Sequence, residues 1–122
     1  MSGRHLILLR PATSEEKAVV SWLLANAATR PDAEQLLVQV ESLQVVGGCG
    51  CGCPSVDFEA SGQSANASVV ADAHGQDAQG SYVGALVWSQ DGRVSGLEVY
   101  LMGEGTECSL PRLESLQPWP AA

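Results

Sequence analysis

The residues best suited to chemistry are three cysteines at alternate positions, Cys49, Cys51 and Cys53, with a glycine between each pair. Thiolates bind zinc and copper, so a cluster of this kind suggests a metal site. Alternate residues of a straight strand lie about 6.6 Å apart, whereas zinc needs its sulfurs within about 4 Å of each other. The site would therefore require a turn, which the intervening glycines permit. The candidates for a fourth ligand are Cys108, His74 and Asp57.

The spacing of this cluster is a weak metal motif, because zinc sites usually contain two cysteines separated by two residues. The simplest interpretation is that small, sulfur-containing side chains pack in a buried strand, since cysteine is among the most buried residue types. Redox chemistry, including a disulfide between one of the three and Cys108, is the third alternative. The sequence leaves these three readings open.

Few other residues suggest catalysis. The chain has two histidines, His5 and His74, and Cys53, His74 and Asp72 could form a nucleophilic triad only if the fold brought them together. No feature of the sequence does so. The carboxylates of Asp57 and Glu59 alternate with apolar residues, as expected on the exposed face of a half-buried strand. We therefore predict no catalytic residue, and an enzyme is the least supported of the functions that the sequence leaves open.

Two helices are predicted before the cysteines. Thr13 and Glu16 form a capping box that favours a helix over about residues 14–27. Pro31 and Asp32 suit the first turn of a second helix, which its apolar spacing extends to Glu41 or Ser42.

The second half of the chain is predicted to form strands. Val56 to Ala60 alternate in polarity, residues 61–64 resemble a turn, residues 68–71 form a short strand, and residues 74–80 form a polar loop. Asp91 and Gly92 are typical of a type I′ hairpin turn. That turn pairs residues whose numbers sum to 183 and turns one apolar face toward the helices. The residues expected on that face are Tyr82, Gly84, Leu86, Trp88, Ser95, Leu97, Val99 and Leu101.

Two helices followed by strands indicate a single α+β domain spanning residues 1–122, with the helices packed on a four- to five-stranded antiparallel meander. At the C-terminus, Leu113 and Leu116 suggest one helical turn, and Trp119 is expected to anchor the chain end. Tyr100, Val83 and Val87 are expected on the second face of the sheet, covered by this C-terminal segment.

The charge of the chain limits its partners. Six lysines and arginines against fourteen acids give a net charge of −8 over 122 residues, which disfavours binding to nucleic acid. No apolar run is long enough to span a membrane, and residues 5–9 are too short for a signal-peptide core. We therefore expect a cytoplasmic protein with reduced cysteines.

Three segments together resemble a group of small bacterial proteins to which no activity is assigned. They are residues 10–16, the Cys51–Phe58 run with its C-x-C-x-C-P-S-V-D-F context, and the D-G-R-V-S-G-L-E-V-Y hairpin of residues 91–100, followed by Leu110–Pro111 and residues 116–119. The resemblance implies a helical start and a strand-rich second half, and it implies no functional residue.

The sequence favours a non-catalytic domain that acts by contact with a protein partner or with a second copy, through a sheet edge or the face that carries Tyr100. The alternative is a zinc- or copper-binding protein that uses Cys49, Cys51 and Cys53, with Cys108 as a further ligand.

Overall fold

The structure is a computed structural model that describes residues 5–49, 53–59 and 67–120. It is an α+β fold, as the sequence predicts. The helices are α1 (Ser14–Asn26) and α2 (Ala33–Leu37). The strands are β1 (His5–Pro11), β2 (Gln44–Cys49), β3 (Val56–Phe58), β4 (Ser68–Gln76), β5 (Tyr82–Gln90), β6 (Arg93–Leu101) and β7 (Gln117–Pro118). The predicted turn at residues 61–64 lies outside the described residues.

The strands form one antiparallel sheet in the order β1-β2-β3-β6-β5-β4-β7. The prediction of four or five strands was too low, since seven are described. The arrangement is also not a single meander, because β3 pairs with β6 and the chain must pass two strands to reach β4. β7 carries no alternating pattern, because it has only two residues and one is a proline.

Helix α1 begins where the capping box predicts. The hydroxyl oxygen of Thr13 accepts from the N–H of Glu16 at 3.0 Å, and Glu16 Oε1 accepts from the N–H of Thr13 at 2.8 Å. Arg10 donates two further bonds of 2.9 Å to the carboxylate of Glu16. Burial alone would raise the pKa of Glu16, but these bonds hold the pKa below its usual value. The pair fixes the end of β1 against the first turn of α1.

Helix α2 is shorter than predicted. It ends at Leu37, and the chain continues through a turn into a 3₁₀ segment at Val40–Ser42. The side chain of Gln39 explains where this change occurs, because it bonds to the hairpin between β5 and β6. Its amide nitrogen donates to the carbonyl of Gly92 at 2.9 Å, and its oxygen accepts from the N–H of Val94 at 2.9 Å. Leu36 and Val40 are nevertheless buried, as the apolar spacing predicts.

The hairpin turn is confirmed, whereas the predicted pairing beyond it is wrong. Asp91 and Gly92 have φ values of 53° and 80°, as a type I′ turn requires. The pairs next to the turn sum to 183, but a β-bulge at Ser95 changes the sum to 184, so that Val87 faces Leu97. Leu97 and Val99 point into the core as predicted. The residues of β5 that point into the core beside them are Val83, Ala85 and Val87. The predicted inward residues of β5, Tyr82, Gly84, Leu86 and Trp88, lie on the opposite face.

The core lies between α1, α2 and one face of the sheet. Its largest fully buried side chains include Phe58, Leu23, Leu36 and Leu97. No helix in the described part of the chain has the length and apolar character needed to cross a membrane. We call the face of the sheet that points away from the helices the outer face.

Candidate functional site

The structure describes the predicted metal ligands only in part. Cys49 is the last residue of β2 and its backbone lies opposite His5, but its side chain, like the whole of Cys51, lies outside the described residues. Cys53 and Cys108 are both half-buried. Burial, followed by the nearby Cys53 and Asp77, raises the pKa of the Cys108 thiol.

Among the described residues, no group of three His, Cys, Asp or Glu side chains is arranged to hold a metal ion. The side chains of Cys49 and Cys51 lie outside the described residues, so the metal site stays a prediction. Cys108 is a poor nucleophile, since a raised pKa keeps its thiol protonated at neutral pH.

Ser55 holds the segment that carries Cys53 against β6. Its hydroxyl accepts from the N–H of Val99 at 2.8 Å and donates to the carbonyl of Val99 at 3.1 Å. In the β3–β6 register, Pro54 would be the partner of Val99, but proline has no N–H to donate. The serine hydroxyl therefore continues the ladder beyond the three residues of β3.

Asp77 holds the segment that carries Cys108. One carboxylate oxygen accepts from the N–H groups of Gln79 at 3.0 Å and Ser81 at 2.9 Å, and the other accepts from the N–H of Ser109 at 3.1 Å. The prediction of a polar loop over residues 74–80 is only partly right. Strand β4 continues to Gln76, and a tight turn follows it.

The most distinctive group of side chains lies on the outer face, across β4, β5 and β6. Asp72 and His74 alternate with the buried Ala71 and Ala73, which places them on the face away from the core. We define the aromatic–acidic surface by its six residues: Asp72, His74, Trp88, Glu98, Tyr100 and Trp119. All of them except Trp119 are half-buried, and Trp119 is 41% exposed.

Tyr100 lies directly over Gly84, its partner on β5. A Cβ atom at position 84 would clash with the ring and hydroxyl of Tyr100, so the absence of a side chain there makes room for the ring. Burial raises the pKa of Tyr100, with further contributions from Asp72 and Glu98. The phenol and the two carboxylates therefore form one electrostatic cluster.

Each carboxylate of this cluster accepts a hydrogen bond from a tryptophan. Trp119 donates its indole N–H to Asp72 at 2.8 Å, and its ring lies against that of His74 with centroids 4.4 Å apart. Trp88 donates its indole N–H to Glu98 at 3.0 Å. Chemically, the surface offers fixed aromatic rings beside carboxylate oxygens that retain further acceptor capacity.

The sequence anticipated this surface only in part. Tyr100 was expected on the second face and Trp119 was expected to anchor the chain end, but Val83 and Val87, also expected on that face, lie in the core. Of the three residues that could have formed a nucleophilic triad, Cys53, His74 and Asp72, the structure joins His74 and Asp72 through Trp119, while Cys53 lies near Cys108. The one local signal for the surface was Gly84, a glycine within a strand, which can mark a close approach.

Comparison with known proteins adds no relative: no protein-family model, curated protein or solved structure matches this chain.

Proposed function

We propose that the chain is a non-catalytic protein-interaction domain that binds a basic segment of a partner through the aromatic–acidic surface. The observation that carries the proposal is the juxtaposition of Tyr100, Trp88 and Trp119 with two carboxylates on one face of the sheet. Arginine and lysine side chains bind over aromatic rings and pair with carboxylates, so both parts of the surface suit the same ligand.

The ion pairs of the described residues leave this surface available for a basic ligand. They involve Glu16, Glu41, Asp32 and Glu114, and none of them uses Asp72 or Glu98. In the bonds described, Asp72 and Glu98 each accept one neutral indole N–H, which leaves the negative charge of the carboxylate for a partner to pair with. A partner arginine would neutralise it while its planar guanidinium stacks on a ring.

Titration with a hexapeptide of arginine tests this proposal. The amide signals of β4 and β6 should shift in an NMR titration, and a hexapeptide of glutamate should cause no shift. Replacing both carboxylates, Asp72→Asn with Glu98→Gln, should weaken arginine-peptide binding by about five- to tenfold, as the loss of two partly exposed charge pairs implies.

A matched control separates this surface from the general negative charge. The double variant Glu34→Gln with Glu107→Gln changes the net charge by the same amount. Both residues are exposed, and neither belongs to the aromatic–acidic surface. It should alter binding by less than about twofold, since salt screens exposed charges that the ligand does not contact. Equal weakening by the two double variants, or no binding by the unaltered protein, would contradict the proposal.

A further inference from the structure

The two edges of the sheet differ in how well they are protected against the addition of another strand. The β7 edge consists of two residues, Gln117–Pro118, and Pro120 follows; prolines cannot donate to a neighbouring strand. The β1 edge runs for seven residues, and its only proline is the last one. In the described part of the chain, no strand lies beyond β1.

β1 also exposes apolar side chains. Ile7 and Leu9 are 77% and 79% exposed, although they belong to an uninterrupted aliphatic run from Leu6 to Leu9. Natural sheets usually protect an edge of this kind with lysine, proline or a short strand. β1 instead carries a bulge between Ile7 and Arg10, which bends the strand after Ile7 and leaves His5–Ile7 as the regular part of the edge.

The charge around β1 favours a second copy of the chain as the occupant. β1 contains no acidic residue, although the chain has fourteen, and Arg10 at its end is already neutralised by Glu16. Two molecules with a net charge of −8 repel each other least where they present apolar, uncharged strands. An antiparallel pair of identical strands is also self-complementary about a twofold axis.

We propose that two copies of this chain associate through their β1 strands, antiparallel, so that Ile7 and Leu9 of each copy pack against those of the other. The pairing joins the two sheets at His5–Ile7, and the bulge directs Leu9 into the apolar contact. This association uses residues outside the aromatic–acidic surface and is independent of the function proposed above.

Sedimentation equilibrium of the full chain, from about 1 μM to about 500 μM, measures the association. The mass should rise from 12.7 kDa toward twice that value. The variant Ile7→Lys with Leu9→Lys should remain at 12.7 kDa, because lysine on an edge strand opposes pairing and brings charges together across the axis. Both side chains are exposed, so the variant should melt within a few degrees of the unaltered protein.

The matched control is Val38→Lys, which places a lysine at an aliphatic residue 82% exposed just after α2. It should associate at least as strongly as the unaltered protein, and so should Asp72→Asn with Glu98→Gln, because neither alters β1 and both lower the net negative charge. A second measurement needs no variant: hydrogen exchange at the amides of His5–Ile7 should slow as concentration rises. A constant mass of 12.7 kDa, unchanged exchange in β1, undiminished association of the β1 variant, or dissociation by Val38→Lys would each overturn the proposal.

Discussion

Single residues fix the irregular parts of this fold, and Asp77 is the clearest example because one carboxylate binds three backbone amides. Its buried carboxylate binds the amides of Gln79, Ser81 and Ser109, which belong to two segments distant in sequence. Asparagine would keep one oxygen but place an NH₂ donor where the carboxylate has its second acceptor. We expect Asp77→Asn to lower the melting temperature by roughly 5–10 °C at pH 7, measured by circular dichroism, since it loses a charged hydrogen bond and leaves an amide unpaired.

The same substitution has a pH signature. Burial alone would raise the pKa of Asp77, but the amide bonds outweigh it and hold the pKa below the ordinary value. A lowered pKa in the folded state adds stability that is fully present above the unfolded pKa of about 3.9 and is lost as the pH falls through the folded pKa. The difference in melting temperature between the unaltered protein and Asp77→Asn should therefore become smaller below pH 4. A difference that stays constant from pH 7 to pH 3, or one equalled by the exposed control Glu104→Gln, would contradict this account.

At the level of elements, the hairpin shows what local sequence can and cannot determine. Asp91 and Gly92 determined the turn, because few residue pairs tolerate positive φ at both positions. They could not determine the face, because a bulge at Ser95 shifts the pairing by one residue. Next to this bulge, Gly92 and Val94 bond to Gln39, which is more than fifty residues away in sequence. β5 has apolar residues on both faces, so its pattern fits either orientation.

Other elements also divide into those that local sequence determines and those that distant contacts determine. The capping box predicted α1 to within one residue, since its signal is local. β7 and the contact of Trp119 with His74 were not predictable, because a strand of two residues has no period and its partner is over forty residues away. The aromatic–acidic surface depends on these long-range contacts, so the sequence identified some members but not their assembly.

The pairing of Gly84 with Tyr100 gives a test at this level. Gly84→Ala would push the Tyr100 ring off the strand, away from Asp72 and Glu98. The raised pKa of Tyr100 should then fall toward the ordinary value of about 10, as followed by ultraviolet titration in a Tyr82→Phe background. Arginine-peptide binding should weaken with it. Gly96→Ala is the matched control on the outer face, because its Cβ would lie 3.5 Å from the nearest atom. A Tyr100 pKa unaffected by Gly84→Ala, or lowered as much by Gly96→Ala, would contradict the arrangement.

At the level of the whole molecule, the net charge of −8 acts in opposite directions on the two proposed contacts. Association of two copies brings like charges together, even though the β1 strands themselves contain no acid. Binding of a basic segment brings opposite charges together. Salt screens both interactions, since the Debye length falls to about 10 Å at 0.1 M. One variable therefore distinguishes the two contacts without any substitution.

Raising sodium chloride from about 20 mM to about 500 mM should strengthen self-association and weaken arginine-peptide binding, each by several-fold, because screening removes repulsion in the first case and attraction in the second. Sedimentation equilibrium and NMR titration at the same concentrations of salt measure the two dissociation constants. Self-association that weakens with salt would mean that charge pairs, rather than Ile7 and Leu9, hold the copies together. Peptide binding that does not respond to salt would remove Asp72 and Glu98 as its basis. Since the two responses have opposite signs, either contact can fail this test while the other stands.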